Sequence, residues 1–383
     1  METTRFQQKA ACDGPRTTDN GQRTAFTLIE LLVVITIIGI LASLITVAAV
    51  AALRKGRETE IKAEVDQLDT AIEEYKNRAT SYPPNCQVDD TAIGLPEPSG
   101  TPLSEGEVLN NLKRHLKQAF PRHQEPDDLI RVLAGLDPNN GGDFPHRLAG
   151  GMTAGEALVF WLGGFSSDPK YPISGQGGPA YPIVGIGTAN NHTQDPIETR
   201  KWTFPFDIGR LRPRDDDGFF PGPMYPERAV LDRYIEYAVT INGERVFRRI
   251  NFWQYVPRKS DEPYLYFDTS RGAPTEATDA PAATEPTGLG PDGAGLHVHT
   301  FKKVSESTVA VNALQSINPD KFQVLHCGID DEWGVETFER MSIHWIINNP
   351  GQELLFPNGP FIGDIADTIV NFTPVTRIED AQP

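Results

Sequence analysis

Glu30 is the one ionisable residue in a long apolar run. The run reads Phe26-Thr-Leu-Ile-Glu30-Leu-Leu-Val-Val-Ile-Thr-Ile-Ile-Gly-Ile-Leu-Ala-Ser-Leu44, and no charge follows from 31 to 53. A lone carboxylate in hydrocarbon is costly and calls for a partner. Phe26, four residues earlier, shows where one could come from. A cut before Phe26 would leave a new ammonium at the helix tip. Glu30 of one subunit could then pair with the amine of a neighbour. Such a pair removes both charges from hydrocarbon and sets the register between packed helices.

Other groups with chemical potential are sparser. His297-Val-His299 places two imidazoles on one strand face, which can hold zinc, but no third ligand is identifiable. The acid-rich turns Asp137-Pro-Asn-Asn-Gly-Gly-Asp143 and Asp215-Asp-Asp-Gly218 lack the ligand spacing of a calcium-binding helix–loop–helix. There is no Gly-x-Ser-x-Gly, no phosphate-binding Gly-rich loop, no His-Glu-x-x-His and no Cys-x-x-Cys. Nothing in the sequence argues for an enzyme.

The element that positions Glu30 is a helix with two halves. The uncharged segment 31–53 is long enough to cross a bilayer core, which takes roughly 20 apolar residues. Beyond it, Ile61, Val65, Leu68, Ile72 and Tyr75 recur at spacings of four and three, one apolar stripe among acids and bases. A single helix from 26 to 79 would be roughly 80 Å long at 1.5 Å per residue. Tyr82-Pro-Pro84 stops it. Two plainer readings of the apolar run remain open. Ala49-Val-Ala51 has the form of a signal-peptidase site, but such signals have apolar cores of about 7–15 residues and no use for Glu30. A simple single-span anchor is the other.

The leader ending Gly21-Gln-Arg23-Thr-Ala25, followed by Phe26-Thr-Leu-Ile-Glu30-Leu-Leu-Val-Val, closely resembles the processing and methylation signature of type IV pilins and type II secretion pseudopilins. The resemblance implies cleavage between Ala25 and Phe26 by a prepilin peptidase, N-methylation of Phe26, and assembly through Glu30. Ala25 stands where the family usually has Gly. The segment 62–78 followed by Ser81-Tyr82-Pro83 is similar to the helix end of major pseudopilins. Phe322-Gln-Val-Leu, then Gly328-Ile-Asp-Asp-Glu-Trp-Gly334, resembles their last hairpin. In that family the C-terminal loops bind calcium through carboxylates and carbonyls. Asp330 and Asp331 sit where the loop acid lies, and Asp364 or Asp367 could close the site.

The fold class that follows is α+β and pilin-like: a long N-terminal helix, transmembrane then amphipathic, packed on a small antiparallel β-sheet. The expected organisation is a leader over 1–25, a transmembrane half over 26–53, an amphipathic half over 54–84, an insertion over 85–318 and a C-terminal β-region over 319–383. The insertion reads as helical and loop-rich. Ser104-Glu-Gly-Glu107 and Thr153-Ala-Gly-Glu156 have capping-box spacing, and 125–136 reads as a third short helix. Val230 to Ile250 fits either a short helix or strands, with Asn242-Gly243 as a hairpin turn. The stretch 264–268 reads as a strand, and 271–295 is low in complexity.

The chain carries 35 basic and 52 acidic residues, a net charge of −17. The leader holds four basic and three acidic residues, so its removal leaves −18. That balance argues against nucleic acid or an anionic membrane surface as partner, and is compatible with cation binding. Arg16 and Arg23 before the span nearly balance Arg54, Lys55 and Arg57 after it, so charge alone does not orient it. The resemblance places the leader in the cytoplasm, the span in the bacterial inner membrane and the bulk in the periplasm or exterior. The partners it implies are prepilin peptidase, other pilin or pseudopilin subunits, an inner-membrane assembly platform and membrane lipid. Cys12 lies in the leader, leaving Cys86 and Cys327 on an oxidising side where a disulfide between them is allowed. The competing reading is a membrane-anchored binding protein or adhesin that uses the N-terminus only for export.

The mass of the N-terminal peptide from membrane-purified protein decides among these. A start at Phe26 with one added methyl group is expected. A start at Ala52 would mean a secreted protein, and an intact Met1 an unprocessed anchor.

Overall fold

The computed structural model describes residues 27–84, 105–134, 152–186, 200, 202–213, 234–270, 288–289, 295–296, 301–303, 314–331, 356–357, 361 and 363–381. The chain divides into two units, Met1–Leu53 and Arg54–Pro383. In the first, the described residues form the start of helix α1 (Leu28–Ala79), and every side chain there is exposed. No apolar partner covers it among the described residues, as suits a surface meant for lipid or for other helices.

The second unit begins within α1 and is built on its stripe. Ile61, Val65, Leu68, Ile72 and Tyr75 are all buried. The spacing read from the sequence therefore turns one face of the helix into a core wall. The helix stops where Thr80 adopts a left-handed φ of 70°, its N–H donating to the Lys76 carbonyl at 2.7 Å. Two long-range bonds fix the exit: Trp161 Nε1 donates to the Pro84 carbonyl at 2.8 Å, and Tyr266 Oη donates to that of Pro83 at 2.7 Å.

Three further helices pack on this wall: α2 (Glu105–Ala119), α3 (Asp127–Leu133) and α4 (Ala154–Leu162). The Thr153/Glu156 capping box starts α4, with both reciprocal bonds made at 2.9 and 3.2 Å. The box expected at Ser104 lies outside the described residues. His115 docks α2 onto α1, its Nε2 2.9 Å from Tyr75 Oη and its Nδ1 2.8 Å from Ser81 Oγ. Trp161 meets the Tyr75 ring edge-on at 6.0 Å.

The strands are antiparallel and short. One sheet joins Tyr181–Ile183, Glu244–Asn251 and Tyr234–Ile241 in that order. The ambiguity over 230–250 thus resolves to a hairpin. Asn242 and Gly243, at φ of 52° and 87°, make the tight turn that Asn-Gly favours. A second sheet orders Ile369–Val370, Gln323–His326 and Leu265–Phe267. Its middle strand is buried on both faces. Val324 joins the core of α1 and α4, while Leu325 joins a smaller cluster with Phe267, Phe361 and Ile378.

Within the segment 85–318, the strand Leu265–Phe267 pairs with Gln323–His326 and the helices share the core with α1, so this segment is built into the same globular unit as the C-terminal region. The strand Ile369–Val370 is preceded by a 3-10 turn at Gly363–Ile365.

Leu68 is fully buried and Leu44 is 64% exposed. Urea unfolding of the globular unit should show Leu68→Ala costing about 2–5 kcal/mol. Leu44→Ala should leave that transition within about 0.5 kcal/mol of wild type.

Candidate functional site

Ala25 and Phe26 lie outside the described residues; Glu30 is described and exposed. Its carboxylate is not naked. Glu30 Oε2 accepts from the Thr27 N–H at 2.9 Å and from Thr27 Oγ1 at 2.8 Å. The Glu30 N–H donates to Thr27 Oγ1 at 3.3 Å. This is a reciprocal capping box, with Thr27 at the N-cap and Glu30 three residues on. The reading of the sequence missed it, although Thr27-Leu-Ile-Glu30 has the required spacing. The bonds converge on one oxygen, and Oε1 accepts none among the described residues. A single subunit thus satisfies the carboxylate in part and leaves an acceptor for a donor brought by a neighbour.

Further along α1, charged side chains seat the helix on the rest of its unit. The Arg210 guanidinium forms a two-pronged pair with both Glu64 carboxylate oxygens, and Tyr264 Oη also donates to Glu64. Lys62 Nζ donates to the carbonyls of Val370 at 2.8 Å and Thr373 at 2.9 Å. Asn371 Nδ2 donates to Asp69 Oδ1 at 2.7 Å. The C-terminal loops are therefore tied to the helix that carries the apolar segment.

Those loops contain the acids expected to bind a cation. Asp330, Asp331 and Asp367 gather around the turn at Gly328, whereas the Asp364 side chain lies outside the described residues. Asp367 Oδ2 accepts from the Ile329 N–H at 3.0 Å, and its Oδ1 is buried with no hydrogen-bond partner among the described residues. Burial pushes the Asp367 carboxyl up to about 6, and the charge of Asp330 adds to the shift against the pull of the Ile329 N–H. Gly328 has a left-handed φ of 119°, and a Cβ there would run into the Asp367 carboxylate. Asp331 is partly committed elsewhere, accepting from Ser260 Oγ. An orphaned buried carboxylate oxygen beside a second acid fits a hard, oxygen-liganded cation such as calcium.

His326, Cys327 and Asp331 also lie close, with one ligand atom of each within 4.8 Å of the others. Their chemistry does not suit a metal. His326 Nδ1 accepts from the Gly328 N–H at 3.1 Å, and Nε2 is 3.2 Å from the Glu262 carbonyl, to which it donates. Both ring nitrogens are used, and burial pushes this imidazole down to about 4. Cys327 is a buried free thiol, pushed well up by burial. Cys86, its expected disulfide partner, lies outside the described residues. His297-Val-His299 and the acid-rich turns at 137–143 and 215–218 lie largely or wholly outside them as well.

Residues 21–46 match a family model described as the prokaryotic N-terminal methylation motif. The chain carries a prepilin-type N-terminus. That match supports a type IV pilin-like protein processed by prepilin peptidase and assembled with other pilin subunits. The type IV pilin-like reading agrees with the α+β architecture, a long apolar N-terminal helix followed by small antiparallel sheets. Among the described residues one helix, near the N-terminus, is long and apolar enough to cross a membrane, as a single-pass anchor requires. No curated protein and no solved structure matches the chain.

Adding calcium to the processed protein is expected to raise its Tm near neutral pH. The rise should fade below about pH 6, where a proton competes for Asp367. Asp367→Asn should abolish it; an equal rise in that variant would remove Asp367 from the site.

Proposed function

We propose that this chain is a structural, non-enzymatic subunit of a type II secretion pseudopilus or a type IV pilus-like fibre. Its apolar helix holds the subunit in the inner membrane until an assembly platform draws it out. The helix then packs against its counterparts in the fibre core, with the globular unit in the periplasm or exterior. The observation that carries this reading is the exposed, uncharged surface of α1 up to Leu53, begun by a single carboxylate whose only partner among the described residues is its own N-cap.

The physics favours assembly over plain anchoring. An anchor needs only length and apolarity, and a carboxylate in its first turn serves neither. An assembling helix has a use for the same group, because a neighbour's terminal ammonium can meet Glu30 and fix the stagger. The bulk of 85–318 makes dense packing of many copies harder and favours a minor or specialised subunit. Calcium at Asp330 and Asp367 would hold the C-terminal loops in place, and with them the face that grips α1.

Glu30→Ala discriminates between fibre subunit and anchored adhesin. Fibre incorporation, read by shearing and sedimentation, should fall at least about tenfold, while membrane insertion stays intact. Unchanged incorporation would favour the adhesin.

A further inference from the structure

Two basic stretches, far apart in sequence, meet on one surface of the second unit. Arg54, Lys55 and Arg57 follow Leu53 directly; the first two are exposed and Arg57 is half-buried. Arg57 Nη2 donates at 2.8 Å to the carbonyl of Lys259, 202 residues further along the chain. That bond sets the turn 257–260 against the first helical turn after the apolar segment. Arg258 and Lys259 are exposed on this turn. Lys259 adopts a left-handed φ of 62°, a costly conformation for a residue with a Cβ. The turn is held from behind, where Ser260 Oγ donates to Asp331 and accepts from the Glu262 N–H at 3.1 Å.

The acids around this surface do not cancel it. Glu58 is buried, its carboxylate 3.4 Å from Lys55 Nζ and 3.9 Å from Arg377 Nε. Glu262 and the Ser260-bound Asp331 are half-buried; Glu60 and Asp261 are the exposed acids of the two stretches, with Asp330 exposed next to Asp331, against the exposed Arg54, Lys55, Arg258 and Lys259. A chain of net charge −17 thus shows a cationic collar where its apolar segment ends.

We propose that this collar docks anionic phospholipid headgroups of the leaflet from which α1 emerges. The proposal rests on the reading of α1 as a membrane span. Arg57 lies four residues past Leu53, about 6 Å along the helix, a depth that matches the headgroup layer. A cation near an anionic leaflet gains appreciable attraction, and the planar guanidinium fits phosphate with two prongs. Basic residues on the translocated side also work against the orientation of the span. Placed there, they call for an anionic partner on that side. Docking would seat the unassembled subunit at fixed depth and be released as the subunit is withdrawn.

The full chain, reconstituted in nanodiscs of phosphatidylcholine and phosphatidylglycerol, tests this with spin-labelled lipids of each kind. The wild type should hold phosphatidylglycerol in preference to phosphatidylcholine. Arg258→Gln with Lys259→Gln should lower the preference at least about threefold without changing Tm. Raised salt should do the same, and Asp261→Asn should increase it. Equal preference in wild type and the double variant would overturn the proposal. So would a substitution that changed pairing between fluorescently labelled copies in the disc and left lipid preference alone, because the collar would then serve a second copy of the chain. A chain that leaves the bilayer when detergent is removed would overturn the span reading and the proposal with it. A retained chain with no preference overturns the proposal alone.

Discussion

Glu64 lies on the side of α1 that faces the rest of its unit, and its carboxylate receives both the Arg210 guanidinium and the Tyr264 hydroxyl. A carboxylate largely withdrawn from water is tolerable only with such partners, and taking one away strands the other at a cost of about 3–5 kcal/mol. The pair admits one rotational setting of the helix. At that setting the apolar stripe falls inward, Lys62 reaches the carbonyls of Val370 and Thr373, and Asp69 meets Asn371. The packing of α2 and α4, and the short C-terminal strands, all presuppose a helix held in that orientation.

Polar groups are handled differently in the apolar part of α1. Thr36, Ser43 and Thr46 turn their hydroxyls back onto carbonyls of the preceding turn, at 2.7–2.8 Å. Glu30 does the equivalent through Thr27. Each polar group is thereby satisfied within the helix, which a segment in hydrocarbon requires. Only Glu30 carries a charge that local bonding does not neutralise. That residual charge is the one feature of the segment that its own backbone and side chains leave unmatched.

The local features of this fold were legible in the sequence. The stripe from Ile61 to Tyr75, the Thr153/Glu156 box, the Asn242-Gly243 turn and the stop at Tyr82-Pro-Pro84 each depend on residues within a few positions of one another. The Thr27/Glu30 box is just as local, but a lone carboxylate at the head of an apolar run points first to a partner outside the chain. What could not be read was long-range pairing. Nothing in the periodicity of Leu265–Phe267 says that it pairs with Gln323–His326, and both runs are buried on two faces, so alternation gives no register. Arg210 and Glu64 are 146 residues apart, and Arg57 and Lys259 are 202 apart. The acids near Gly328 can be named from the sequence, but the orphaned oxygen of Asp367 depends on burial that only the folded chain creates.

The way α1 is gripped also has a mechanical meaning. The contacts that hold it, through Lys62, Glu64, Asp69 and the stripe, are spread along its length, and the exit of the helix is bonded at Pro83 and Pro84. A pull along the axis of α1 loads these contacts together, in shear, rather than opening them one after another. A load carried by α1 is thereby shared across the whole core of the globular unit, which resists it as one folded body.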